Sequence, residues 1–252
     1  MGKQKCNRNA SFYRERAEEL RELRKALEAQ FDGKAKNLSP LNIAIKELEA
    51  IATGEKDEYE WKCNIDNLII PFGDVRNVEP ANLDAKISIS CSFNTTIDAW
   101  NNIKCDPFNT YSFRLRVYGD CNDIEYSWGM YIDKAPAEDT TEEWHPLYHL
   151  HCFESRIEGA TFLVDKEQHK GTIHLNVPRL VHYPLDIMLG IGFCFTNFYK
   201  KEMFKKFCGK SGSQFVRYYK NSQDRILKPF FESLADTRNC VFERNVLCPQ
   251  IV

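Results

Sequence analysis

The stretch HPLYHLHCF, residues 145–153, decides how this chain is read. It carries three of the six histidines, and all six lie between positions 145 and 182. Its residue types fit a β-strand, in which alternate side chains share a face. His145, Leu147, His149, His151 and Phe153 then project one way, and Tyr148, Leu150 and Cys152 the other. This sets the imidazoles of His149 and His151 side by side, as in the H-x-H strand pairs that hold transition metals.

Working outward, the period-two pattern extends on both sides of this stretch. NLIIPF (67–72), KISISCSF (86–93), YSFRLRVYG (111–119), IEYSWGMYI (124–132) and GTIHLNV (171–177) all read as strands. GDCND (119–123) is turn chemistry between two of them, and DKAPAEDTTEEW (133–144) reads as an acidic loop. GTIHLNV places His174 on a strand, where it would supply a third nitrogen if that strand neighbours the H-x-H pair.

Both ends of the chain are helical. From Ser11, read as the cap, to about Gln30, Tyr13, Ala17, Leu20, Leu23, Leu27 and Phe31 recur at helical spacing, with Gly33 as the stop. Ser39-Pro40 opens a second helix with stripe Leu41, Ala44, Ile45, Leu48 and Ile51, closed by Gly54. Such a hairpin packs on a neighbouring layer, or serves dimerisation or partner binding. After Tyr183-Pro184 the pattern predicts a helix to about 207, a break at CGKSGS (208–213), a helix over 214–235, and a last strand in CVFERNVLCPQIV (240–252). The fold class is therefore α+β: a helical hairpin (1–58), a central, mostly antiparallel sheet (59–180), and C-terminal helices packed on it (181–252).

Composition narrows the setting. Residues 43% hydrophobic and 28% charged describe a globular chain, and a formal charge of −2 exerts no global pull toward nucleic acid or acidic membranes. The ten cysteines form no C-x-x-C pair, which argues against a zinc ribbon and for free thiols in a reducing cytosol. The longest apolar run, LDIMLGIGFCF (185–195), is too short to span a bilayer. MGKQKCNRN has no apolar leader. A cytoplasmic location without a membrane span is expected.

Charge is uneven. Residues 200–228 hold nine cations against Glu202 and Asp224, interleaved with Tyr199, Phe204, Phe207, Tyr218 and Tyr219. Lys201, Lys205, Lys206, Arg217 and Lys220 are candidates for binding a nucleic acid or another anion, with the aromatics available to stack bases. The same pattern also describes an amphipathic helix whose lysine stems cover core aromatics. CGKSGS is not a Walker A loop, since Phe204 stands where its first glycine belongs. Asp74 followed by Asp84-Ala-Lys86 echoes the D…D-x-K arrangement of Mg²⁺-dependent nucleases. Cys152 beside His151 is a nucleophile–base pair by sequence adjacency alone.

Two family patterns fail. A cupin needs Gly where Glu143 stands and Glu where Ser155 or Arg156 stands. A two-histidine phosphoesterase needs His-x-Ser/Thr, and the chain has His149-Leu-His151 and His174-Leu-Asn176. WHPLYHLHCF (144–153) and PRLVHYPLDIMLGIGFCFTNF (178–198) together resemble a family of bacterial proteins over about the last half of the chain. The resemblance carries no established activity. It marks His149, His151, Arg179, Pro184 and Asp186 as positions to follow, with Asp186 at a helix start beside Arg179.

The expectation is a non-catalytic protein that binds a protein or nucleic-acid partner, in a bacterial multi-gene setting of the defence or toxin–antitoxin kind, with homo-oligomerisation open. The alternatives are a hydrolase or phosphoesterase holding a transition metal at His149, His151 and His174, and a Mg²⁺ nuclease at Asp74, Asp84 and Lys86.

Overall fold

The computed structural model describes residues 9–34, 37–55, 60–72, 84–121, 124–136, 146–153, 180–210, 212–235, 241–242 and 247–248. Helices α1 (Ala10–Phe31) and α2 (Ser39–Thr53) form the N-terminal hairpin. Helix α1 starts two residues earlier than a cap at Ser11 predicts, with Asn9 at the N-cap position and no side-chain cap hydrogen bond. Both helices end in left-handed residues: Asp32 after α1, and Gly54 (φ 80°) after α2. A left-handed end lets backbone N–H groups close the last turn, as Gly54 does on Ala50 and Ile51. The entry to α2 is held by Asn37, whose Oδ1 accepts from the Ser39 amide at 3.2 Å and the Ser39 hydroxyl at 2.5 Å.

Six antiparallel strands follow in simple meander order: β1 (Glu60–Pro71), β2 (Asp84–Thr96), β3 (Thr110–Cys121), β4 (Ile124–Lys134), β5 (Tyr148–Phe153) and β6 (Leu180–Val181). The short helix α3 (Ile97–Asn101) joins β2 to β3 and is capped by Thr96, whose Oγ1 accepts from the Ala99 amide at 3.0 Å.

Strand β1 begins seven residues before NLIIPF, because Trp61, Cys63 and Ile65 alternate inward while Lys62, Asn64 and Asp66 face out. The alternation is interrupted at a bulge between Ile65 and Leu68, where Asn67 takes φ 56°. Asn67 tolerates that left-handed backbone because its side chain is tied locally. Ser88 Oγ donates to its Oδ1 at 2.7 Å, and its own amide donates to Ser90 Oγ at 3.0 Å.

One sheet face is apolar: Ile87, Ile89, Cys91 and Phe93 on β2, Phe113, Leu115 and Val117 on β3, Met130 and Ile132 on β4. The helices lie on it. Helix α4 (Ile187–Phe198) crosses β3 so closely that a Cβ on Gly190 would stand 2.4 Å from the Phe113 ring. Phe113 is fully buried and has nowhere to retreat. Gly190→Ala is therefore expected to lower stability by about 1–3 kcal/mol through overpacking, read by chemical denaturation; an unchanged midpoint would contradict this packing.

The single helix predicted over 184–207 is two. Tyr199 is extended (φ −126°, ψ 160°), and α5 (Lys201–Lys210) follows. The break lets Tyr199 lie buried against Phe31 and Phe195 while its hydroxyl donates to the Pro71 carbonyl. Thr196 and Asn197 loosen the last turn of α4 by bonding back to the carbonyls of Gly192 and Phe193.

The break expected at CGKSGS is also displaced, since Cys208, Gly209 and Lys210 remain helical. Helix α6 (Gly212–Ser222), a π-helical turn (Gln223–Leu227) and α7 (Lys228–Ala235) continue one another. In the tail, Val241, Phe242, Leu247 and Cys248 join no strand. The Val241 and Phe242 amides instead donate to Ser233 Oγ.

Buried apolar residues from all three parts of the chain belong to one cluster. At one end it is aromatic, with Trp61 4.9 Å from Phe93 and 4.7 Å from Trp100. No described helix is long and apolar enough to cross a membrane.

Candidate functional site

Strand β5 sets His149 and His151 on one side of the sheet, with ring centroids 4.8 Å apart. That side is opposite the helices. Cross-strand register continues it as a row of polar side chains: Ser90 opposite Arg114, Arg114 opposite Tyr131, and Tyr131 opposite His151. The His151 ring stacks on Tyr131 at 4.4 Å and 10°. His149 is buried, and its Nδ1 donates to the Pro146 carbonyl at 3.0 Å.

The rest of the histidine proposal does not assemble among the described residues. Their His, Cys, Asp and Glu side chains form no group of three able to hold a metal ion. His174 lies outside the described residues, as do His145 and His169. His182 packs against Phe193 on the helical side, and burial lowers its pKa. Cys152 does not serve His151: neighbouring residues of a strand project to opposite faces.

Asp84 and Lys86 share the polar face at one end of β2. Asp84 is exposed and stands opposite Asp120, a like-charge pair that disfavours the ladder locally. Asp74 lies outside the described residues. Sequence reading missed Asp120, Arg114 and Arg116, although R-x-R in YSFRLRVYG carries the same period-two signal as H-x-H.

The C-terminal cations are different in kind. Lys201, Lys205 and Lys206 on α5, and Arg217 and Lys220 on α6, are all exposed, and none makes an ion pair among the described residues. Helix α1 shows the contrast: there Arg21 meets Glu18 and Glu49, Arg24 meets Glu28, and Lys25 meets Glu22. The aromatics interleaved with the cations face inward. Tyr199, Phe207 and Tyr218 are buried, and Phe204 is half-buried. Base stacking on Tyr199, Phe207 and Tyr218 is therefore closed off, while Tyr219, like Phe204, keeps part of its surface exposed.

No family model, curated protein or solved structure matches this chain.

A second polar cluster sits inside the molecule, between α1 and the starts of α4 and the π-turn. Arg16 Nη1 lies 2.7 Å from Glu19 Oε2, and both residues are buried. Asp186 caps α4 by accepting from the Leu189 amide at 2.9 Å, and Ser222 Oγ donates to its second oxygen at 2.5 Å. This realises the helix-start role read for Asp186; the proposed partner Arg179 lies outside the described residues. Burial pushes Glu19 up to about 8 against the opposing pull of Arg16, and it raises Asp186 against its two hydrogen bonds and Arg16. Perturbed carboxylates often mark active sites. Glu19 and Asp186 are sealed from solvent, so their role is structural.

Proposed function

We propose that this protein is a non-catalytic binding protein whose C-terminal helices engage a polyanionic partner. The observation that supports this reading is the set of five exposed cations on α5 and α6, Lys201, Lys205, Lys206, Arg217 and Lys220, unpaired by any described carboxylate. Surface cations seldom stabilise a fold, and here they concentrate where neighbouring carboxylates are few. Five phosphate-like contacts would give a steep salt dependence, with affinity falling by about 10²–10³ between 50 and 200 mM salt.

Retention of the full chain on immobilised single-stranded polynucleotide and on polyglutamate tests the reading. Binding should fall steeply with salt on at least one of the two. It should be lost when Lys205, Lys206, Arg217 and Lys220 are together changed to Glu. Retention that survives those four changes overturns it.

A second reading rests on the His149–His151 pair. The two imidazoles share one strand face with ring centroids 4.8 Å apart, the pairing that a transition metal in a hydrolase would use. Elemental analysis of purified protein, before and after soaking in Zn²⁺, is expected to show bound metal if it holds; none bound removes it.

A further inference from the structure

A cavity of about 220 Å³ opens between α4 and the α6–π-turn helix. Helix α4 forms one wall, because Leu189, Phe193, Thr196 and Asn197 recur at the spacing of a single helix face. Tyr183 and Leu185, from the segment entering α4, and Tyr219 and Leu227 close the other sides. Leu227 ends the π-turn, whose slower winding keeps it on the side of Tyr219. Such turns recur at functional sites.

Polar atoms make up more of the accessible lining than apolar ones. The Thr196 hydroxyl and the Asn197 amide N–H are spent on the carbonyls of Gly192 and Phe193, which leaves Asn197 Oδ1 as an acceptor. The Tyr183 and Tyr219 hydroxyls differ. Both residues are half-buried, yet neither hydroxyl bonds to the side chain of a described residue. Burial raises the pKa of both phenols, so both remain donors at neutral pH. Tyr219 is also held in place: a Cβ on Gly192 would stand 2.4 Å from its ring and 2.5 Å from its hydroxyl. Sheltered polar groups normally have a partner, and here the cavity is where one would sit.

Charge and size select the occupant. None of the lining residues is charged, so nothing there would hold an ion. A cavity of about 150 Å³ accepts one benzene ring, and the larger volume here suits two fused rings.

We infer that this cavity binds a small uncharged molecule built on a fused heteroaromatic ring pair, with its faces on Phe193 and the leucines and a ring nitrogen on a tyrosine hydroxyl. The site is separate from the basic face and does not depend on the polyanion-binding reading.

Benzimidazole and indole test it as a matched pair: they share a shape, but only benzimidazole has a second ring nitrogen with a free lone pair. Titration of the full chain, followed on the ligand NMR signals, should give about fivefold tighter binding of benzimidazole, the worth of one neutral hydrogen bond. Tyr183→Phe and Tyr219→Phe together should erase that preference and leave the unfolding midpoint unchanged.

Equal affinity for the two compounds, a preference that survives the double variant, or no binding of either at millimolar concentration overturns the inference. A lowered midpoint in the double variant overturns it as well, since the hydroxyls would then serve the fold.

Discussion

Replacing Arg225 by alanine is expected to lower stability by roughly 3 kcal/mol, since it strands one buried and two part-buried carbonyls at once. Arg225 is buried in the π-turn. Its guanidinium donates to the carbonyls of Ala99, Trp100 and Cys105 and lies 5.9 Å from the Trp100 ring. It thereby ties the C-terminal helices to the β2–β3 connection, where Trp100 anchors the aromatic end of the core. Burial lowers its pKa, yet a guanidinium stays charged. The π-turn serves this contact: its wider backbone spacing turns Arg225 and Ile226 inward together. Arg225→Lys should restore only part of the loss, because a single ammonium cannot span three carbonyls. Denaturation midpoints decide this. A loss below about 1 kcal/mol for Arg225→Ala would mean that water or another donor already serves those carbonyls.

The second large effect is on pH dependence. Burial raises Glu19 to about 8 from an ordinary value of 4.5. The folded protein therefore binds a proton that the unfolded chain releases as pH rises past about 4.5. The contribution of Glu19 to stability is complete below that value and is lost as pH climbs through about 8. Asp186 is shifted in the same direction by the same cause. Stability is expected to decline by about 2–5 kcal/mol from pH 5 to pH 9. Glu19→Gln keeps an acceptor for Arg16 and removes the titrating proton, so it should flatten most of that slope. A slope unchanged by Glu19→Gln, or stability that increases with pH, would show that Glu19 stays ionised beside Arg16.

Much of the fold was legible in period and punctuation. The helical hairpin, its glycine stop at Gly54 and the antiparallel sheet follow from spacing alone, because an antiparallel sheet with one covered face keeps strict alternation. The joint placement of His149 and His151 follows for the same reason. What escaped were places where tertiary contacts overrode local pattern. The first half of β1 was hidden by Lys62, Asn64 and Asp66 and by the bulge at Asn67. The break at Tyr199 depends on the Pro71 carbonyl, 128 residues away in sequence. Asp186 reads locally as a helix cap, while its bond to Ser222 and the proximity of Arg16 are set only by packing. The aromatics among the C-terminal lysines show the limit of composition. Lys-Phe and Arg-Tyr neighbours suggest a stacking platform, but helical geometry buries Tyr199, Phe207 and Tyr218 and leaves the cations outside.

Amide hydrogen exchange of the full chain, with and without saturating polyglutamate, tests the central claim most directly, because it locates the binding face without assuming it. Slowed exchange across residues 201–222, with β5 unaffected, is the expected result. Protection confined to the polar sheet face around residues 112–116 and 148–153, or no protection at all, would contradict it.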